Sequence, residues 1–215
     1  MLKIGVLASG RGSNFQAIID AVKSGYIKAE IAVLITDKPD AYAIGRAREN
    51  GIEHLFLSPS GHASKDDYFV RIANELKKRE VGLVLLAGFM RIVRKPLLDA
   101  FPMRVMNIHP ALLPSFPGLH GQKQAADYGV RISGCTVHFV DEGMDTGPVI
   151  IQAAVPVHPE DSEDSLSERI LIYEHKIYPE AVRLFAEGRI EVKGRKVFVK
   201  DYKFPEETII NPPIG

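Results

Sequence analysis

The sequence predicts an α/β fold: a mainly parallel twisted sheet with helices on both faces, to which later strands add an antiparallel part. Three observations carry that expectation. Short apolar runs alternate with segments of helical periodicity at intervals of about 25 residues, as in successive βαβ units. The first run ends in a glycine turn that opens a helix. After His109 the alternation gives way to two longer β-rich runs joined by a polar turn.

Leu2 to Ala8 is an apolar run closed by Ser9-Gly10-Arg11-Gly12, the pattern of a buried strand feeding a turn. From Asn14 to Lys23, Phe15, Ile18, Ile19 and Val22 recur at helical spacing. Ile31 to Thr36 repeats the strand pattern. Lys38-Pro39-Asp40 then introduces a helix through Arg48, with Gly51 at its C-cap. His54 to Leu57 is a third short strand, and Lys65 to Arg79 is amphipathic, with Tyr68, Phe69, Ile72, Ala73 and Leu76 on one stripe. Leu83 to Ala87 and, after a short helix, Arg104 to Ile108 are the fourth and fifth strands. Ile132 to Val140 and Val149 to Val157 read as a hairpin-like pair around Asp141 to Pro148. A long helix is expected from about Ser165 to Glu187, opened by the capping box Ser165-x-x-Glu168 and kinked or restarted at Pro179. Glu191 to Lys200 reads as a surface hairpin turning at Gly194, and the Pro-rich end from Phe204 to Gly215 as a loosely held tail. With no repeat and no linker, a single domain is expected over residues 1–200, with 201–215 as the tail.

Composition narrows the partners. The 215 residues carry 27 Lys and Arg against 27 Asp and Glu, which removes the electrostatic footprint of a general nucleic-acid or anionic-membrane binder. No apolar run approaches the length of a membrane span or a signal h-region, so an intracellular, cytoplasmic protein is expected. One cysteine, Cys135, excludes an internal disulfide framework and a thiolate-dominated metal site.

Three segments carry chemistry. The turn Ser9-Gly10-Arg11-Gly12-Ser13-Asn14 lies where backbone N–H groups and a helix N-terminus hold an anion, most often a phosphate. Phe15 breaks the dinucleotide fingerprint and no Gly-Lys-Ser/Thr follows, so neither that motif nor a P-loop is present. A tight turn without a ligand is the alternative. In Val105-Met106-Asn107-Ile108-His109-Pro110, strand alternation points Asn107 and His109 to one side at the strand's carboxyl end. An amide donor beside an imidazole suits acyl transfer, the amide for an oxyanion and the imidazole for a proton; a capping or core histidine is the other reading. Finally, Asp141-Glu142-Gly143-Met144-Asp145-Thr146-Gly147-Pro148 is either a solvated turn or the source of a carboxylate that orients an imidazole.

Together these segments resemble the folate-dependent phosphoribosylglycinamide formyltransferase family of purine synthesis, over about residues 3 to 190. The resemblance rests on Ser9-Gly10-x-Gly12-Ser13-Asn14, Leu86-Ala87-Gly88-Phe89-Met90-Arg91-Ile92, Asn107-Ile108-His109-Pro110-x-Leu112-Leu113-Pro114, Pro117-Gly118-Leu119-His120, Asp145-x-Gly147-Pro148 and Glu174-His175-x-x-Tyr178-Pro179. It implies a Rossmann-like formyltransferase fold, with a phosphate-binding half at about 1–100 and a folate-binding, catalytic half at about 101–200. It implies direct transfer of a formyl group from 10-formyltetrahydrofolate to the amine of glycinamide ribonucleotide through a tetrahedral intermediate, without a metal. The partners it implies are those two small molecules, with no nucleic acid and no membrane, for a monomer or homodimer.

The resemblance also implies roles by position. Asn107, His109 and Asp145 form the catalytic group. Gly12, Ser13, Asn14 and Glu174 hold glycinamide ribonucleotide. Lys65, Met90, Arg91, Ile92, Val93, Asn107, Val140, Asp141 and Asp145 bind the formylfolate, the 90–93 segment largely through its backbone. Leu171 stands where some family members have a polar residue that assists the substrate, which leaves that side of the ribose site open. Val93 replaces an expected leucine conservatively, and Arg11 replaces a neutral residue, either to reinforce phosphate binding or to face solvent. Read from the chain alone, Glu174 is also a helix residue beside the buried stripe of Ile170 and Ile177, Met90 is also core filling, and His138 is structural until geometry says otherwise. A tRNA-formylating enzyme carries a similar catalytic segment but normally a further C-terminal domain. A formyltetrahydrofolate hydrolase and a nucleotide-binding regulatory module are the remaining alternatives.

Overall fold

The alternation becomes the chain order β1 (Leu2–Leu7), α1 (Ser13–Lys23), β2 (Ala29–Thr36), α2 (Tyr42–Glu49), β3 (His54–Phe56), α3 (Lys65–Lys78), β4 (Leu83–Leu86), α4 (Lys95–Ala100) and β5 (Val105–His109). There follow α5 (Gly121–Tyr128), β6 (Ile132–Phe139), β7 (Val149–Pro156), α6 (Glu163–Ala186), β8 (Ile190–Lys193) and β9 (Lys196–Val199). These elements come from a computed structural model that describes residues 1–202 and 211. The tail expected from Phe204 to Gly215 lies outside the described residues, apart from Asn211.

One sheet takes the order β3-β2-β1-β4-β5-β6-β7. The first five strands in that order are parallel, while β6 is antiparallel to both β5 and β7. The chain runs outward from β1 to β3, returns to the other side of β1 as β4, and so creates a switch point between β1 and β4. In open α/β sheets ligands bind beside such a point, outside the carboxyl ends of the strands. Here that end carries the glycine turn after β1, residues 87–93 after β4, and Asn107 and His109 in β5.

The strand sequences are apolar on both faces because both faces are covered. Ile4, Val6, Leu34, Leu83, Leu85, Met106 and Ile108 pack with Phe15 and Ile18 of α1 and Leu166, Tyr178 and Val182 of α6. Leu7, Val33, Ile35, Val84, Leu86 and Val105 pack instead with Tyr68, Phe69, Ile72 and Leu76 of α3 and Leu97 of α4. Tyr178 is fully buried, and its hydroxyl lies 3.1 Å from the carbonyl oxygens of both Leu86 and Met106, tying α6 to β4 and β5.

Three expectations need correction. The long helix starts before Ser165: Ser162 is its N-cap, and the capping box is Ser162 with Ser165, whose hydroxyls each accept the other's backbone N–H at 3.2 and 3.0 Å. Glu163 and Asp164 then occupy the first turn, where the helix dipole favours acids. The helix also runs through Pro179 without restarting. Third, α5 stands in a stretch to which the sequence pattern assigns no element. It has eight residues and only two buried positions, too weak a pattern to detect. The β8–β9 hairpin forms where expected, around Gly194 at φ 60°.

Candidate active site

Strand register builds the centre of the site. Asn107 of β5 lies directly across from His138 of β6, and His109 from Thr136. Side chains of directly paired residues share a face, so one amide and two imidazoles converge there. His138 is 1% exposed. Its Nδ1 lies 2.8 Å from the carbonyl of Phe139, which only accepts, so Nδ1 carries the proton and Nε2 offers a lone pair. Asn107 Nδ2 donates to that Nε2 at 3.2 Å. Burial pushes the His138 pKa down, which keeps it in this neutral, accepting form. One N–H of the Asn107 amide is thereby engaged and the other is left to meet an oxyanion.

The same reasoning applies to His109. Its Nε2 lies 2.9 Å from the carbonyl of Phe116, so Nε2 carries a proton and donates it there. The other ring nitrogen, Nδ1, faces Asp145 Oδ2 at 3.5 Å. That carboxylate oxygen also accepts the backbone N–H of Gly118 at 2.7 Å, and Asp145 Oδ1 lies 3.8 Å from His138 Nε2. Asp145 reaches this position with φ at 54°, a left-handed conformation that Asp tolerates better than most residues. The turn that carries it is drawn together by Asp141, whose Oδ1 accepts the Gly143 N–H at 3.1 Å and the Thr146 hydroxyl at 2.6 Å.

A second cluster forms at the α1 N-terminus. Gly12 has φ 67°, and a Cβ there would stand 2.8 Å from the Ala43 Cβ, so the turn needs glycine for conformation and for space. No side chain caps α1, which leaves its first N–H groups directed outward, as an anion site requires. Arg46 of α2 braces the turn, donating from Nε to the Arg11 carbonyl at 2.9 Å and from Nη1 to Gln16 at 3.1 Å. Asn14 Nδ2 donates to Glu174 Oε2 of α6 at 2.7 Å. Burial raises the Glu174 pKa, and the buried Asn14 Oδ1 has no protein partner. This cluster is thus built to receive further polar groups.

The segment after β4 joins the two clusters along the crevice. The Ser9 N–H donates to the Gly88 carbonyl at 3.0 Å, and the Ser9 hydroxyl accepts the Met90 N–H at 2.9 Å. Met90 and Ile92 are exposed, while Val93 is buried. Arg91 is turned toward Asp37 at the end of β2, at 2.6 Å, and over the Tyr68 ring. Val140 packs on the α3–α4 side of the core, and its N–H donates to the Val105 carbonyl at 2.9 Å. Lys65 stands exposed at the start of α3 and is part of neither cluster. His120 caps α5 and pairs with Glu163 at 3.1 Å. Among the described residues no group of three or more His, Cys, Asp or Glu is placed to hold a metal ion. No described helix is long and apolar enough to cross a membrane.

Sequence reasoning brought out Asn107, His109 and Asp145, and the structure places all three together. It left His138 undecided and missed the Phe116 carbonyl, the Gly118 N–H and Arg46. For His138 the available signal was strand alternation, which places it on the same face as Thr136.

A formyl transferase family model matches residues 2–182. The chain belongs to the formyl transferase family. Phosphoribosylglycinamide formyltransferase of Escherichia coli strain K12 is 40% identical over 206 residues, covering 96% of this chain and 97% of that protein. The crystal structure of glycinamide ribonucleotide transformylase 1 from Symbiobacterium toebii superposes with a TM-score of 0.92 at 52% identity, over 94% of this formyl transferase and 95% of that chain. The trifunctional purine biosynthetic protein adenosine-3 of Drosophila melanogaster is 46% identical over 188 residues, which are 86% of this chain but only 14% of that longer protein. This formyl transferase thus spans nearly the whole length of the first two proteins and about one seventh of the third.

Proposed function

We propose that the protein transfers the formyl group of 10-formyltetrahydrofolate to the amine of glycinamide ribonucleotide, yielding formylglycinamide ribonucleotide and tetrahydrofolate. The observation that carries this reading is the convergence of Asn107, His109 and Asp145, with one amide N–H free and one imidazole nitrogen turned to the carboxylate. Gly12, Ser13 and the first turn of α1 receive the ribose phosphate, and Asn14 with Glu174 meets the rest of the ribonucleotide. Met90 to Val93, Val140 and Asp141 border the formylfolate, with Arg91 and Lys65 as the basic residues on that side. Residues 1–100 are accordingly the phosphate-binding half of one catalytic domain and 101–200 the folate-binding half. Two small-molecule substrates need no nucleic acid and no membrane, and the enzyme acts in the cytoplasm as a monomer or homodimer.

In the reaction the neutral amine attacks the formyl carbon. A C–N bond forms, and the carbonyl π electrons move onto oxygen. The free N–H of Asn107 and the protonated His109 stabilise that oxyanion, the largest single contribution expected of such a site. Asp145 holds the imidazolium and accepts the proton released by the attacking nitrogen. Collapse of the intermediate breaks the bond to N10, which takes up that proton as tetrahydrofolate departs.

The test is turnover of 10-formyltetrahydrofolate with and without glycinamide ribonucleotide. Amine-dependent loss of formylfolate is expected, and Asn107→Ala is expected to lower kcat by ~10²–10³ with little change in either KM. Formate release without the amine assigns the site to a hydrolase instead. Absence of turnover, or normal turnover in Asn107→Ala, overturns the reading.

A further inference from the structure

Two residues with no part in the reaction so far stand behind the site. Thr136 lies opposite His109 in the β5–β6 register and opposite Gln152 in the β6–β7 register, so a polar row crosses three strands. Thr136 is fully buried, yet its hydroxyl is completely used. It donates to the Ala111 carbonyl at 2.7 Å, accepts the Leu113 N–H at 3.0 Å, and accepts Gln152 Nε2 at 3.1 Å. That is one donor and two lone pairs, the full capacity of a hydroxyl. Gln152 Nε2 also donates to the Leu113 carbonyl at 2.9 Å. Both backbone groups of Leu113 and the carbonyl of Ala111 are thus held by β6 and β7.

The tethered residues begin the loop that orients the catalytic group. Three residues after Leu113, the Phe116 carbonyl holds His109 Nε2, and two residues later the Gly118 N–H holds Asp145. Pro114 and Pro117 restrict the backbone between the tether and these two contacts. A displacement at Leu113 is therefore carried to Phe116 and Gly118 instead of being absorbed on the way.

We propose that Thr136, supported by Gln152, is a positioning residue: it fixes the 111–118 loop so that His109 and Asp145 meet the reacting atoms in one geometry. The Thr136 hydroxyl is buried and fully used within the protein, so the pair is expected to act on kcat and not on substrate binding. The inference rests on the formyl-transfer reading above.

Thr136→Val keeps the shape and removes the hydroxyl, whereas Thr136→Ser restores it. Misplacing a catalytic group by about 1 Å lowers turnover by up to ~10². Thr136→Val is expected to lower kcat by about 10- to 100-fold with both KM values within about twofold of wild type. Thr136→Ser is expected to stay within about threefold, and Gln152→Ala to fall by about three- to fivefold, one hydrogen-bonding partner being lost. Gln152 is itself exposed, so its variant tests the idea even if Thr136→Val fails to fold. A kcat within twofold of wild type in both Thr136→Val and Gln152→Ala overturns the proposal. So does equal impairment of the Val and Ser variants, or a loss carried by KM. NMR of the His109 Nε2–H proton is independent of turnover: its hydrogen-bonded signal is expected to persist in wild type and Thr136→Ser and to be lost in Thr136→Val. If wild type transfers no formyl group, the functional reading fails while this signal still tests the positioning. Retention of the signal in Thr136→Val refutes the positioning itself.

Discussion

Replacing Gly121 with alanine separates catalysis from stability. Gly121 is the buried first residue of α5. A Cβ added there stands 3.2 Å from the Phe116 carbonyl oxygen, 3.3 Å from the Ala111 Cβ and 3.4 Å from His109 Nε2. None of these is the free end of a flexible side chain: one is backbone, one belongs to a fully buried alanine, and one to an imidazole 4% exposed. The methyl group therefore pushes into the hydrogen bond that orients His109 with Nδ1 toward Asp145. A neutral hydrogen bond contributes ~0.5–1.5 kcal/mol, which converts to about a 2- to 10-fold change in rate. Displacement of the imidazole adds to this, so kcat is expected to fall at least tenfold. Helix propensity favours alanine over glycine by up to ~1 kcal/mol, which offsets part of the ~1–3 kcal/mol of overpacking. The thermal midpoint therefore moves by only a few degrees, on the order expected for ~1 kcal/mol. Steady-state kinetics and a thermal melt on the same preparation provide the test. A kcat within twofold of wild type refutes the claim that the Phe116 carbonyl governs His109.

Gly12→Ala places a side chain at φ 67° and 2.8 Å from the Ala43 Cβ. The left-handed conformation alone costs ~1–2 kcal/mol, so a lower unfolding midpoint is expected, together with at least about tenfold weaker binding of glycinamide ribonucleotide by calorimetry. Unchanged affinity excludes this turn as the phosphate site. Glu174→Gln tests the buried carboxyl. Its folded-state pKa is raised by burial above the ordinary value of 4.5, so its contribution to stability is fully present below that value and is lost as pH rises through the folded value. The glutamine variant is therefore expected to gain stability relative to wild type at neutral pH and to match it in acid, by urea midpoints across the range. A gain that is independent of pH refutes the assignment to Glu174.

The parallel half of the fold was legible because its strands are short, uniformly apolar and separated by single amphipathic helices. Boundaries were harder. At the start of α6 two serines three residues apart, Ser162 and Ser165, both have cap chemistry, and only the backbone shows that Ser165 is the inner member of the pair. Asn107 and His109 share a strand and its alternation, so their convergence can be read locally. Asp145 lies 36 positions beyond His109, and nothing local brings it there. The acidic turn was a candidate source of a carboxylate, but only the resemblance singled out Asp145 within it, and its approach depends on the turn gathered by Asp141. Phe116 and Gly118 act through backbone atoms, and a side-chain alphabet carries little information about where a carbonyl or an N–H points.

Tyr178 gives α6 a mechanical role. Glu174 and Tyr178 are one turn apart on a single helical face, and the Tyr178 hydroxyl rests against β4 and β5, one residue before Asn107 on the latter. A helical turn is a stiff spacer, about 5.4 Å in length. The carboxyl group proposed to meet one substrate and the amide proposed to face the other are therefore held at a constant span, as if by a caliper whose jaws do not slide. On the proposed reading, adjustment to substrates then falls to the turn at 141–146 and to the 88–92 segment, while the span between the two binding sides is set by the helix before either ligand arrives.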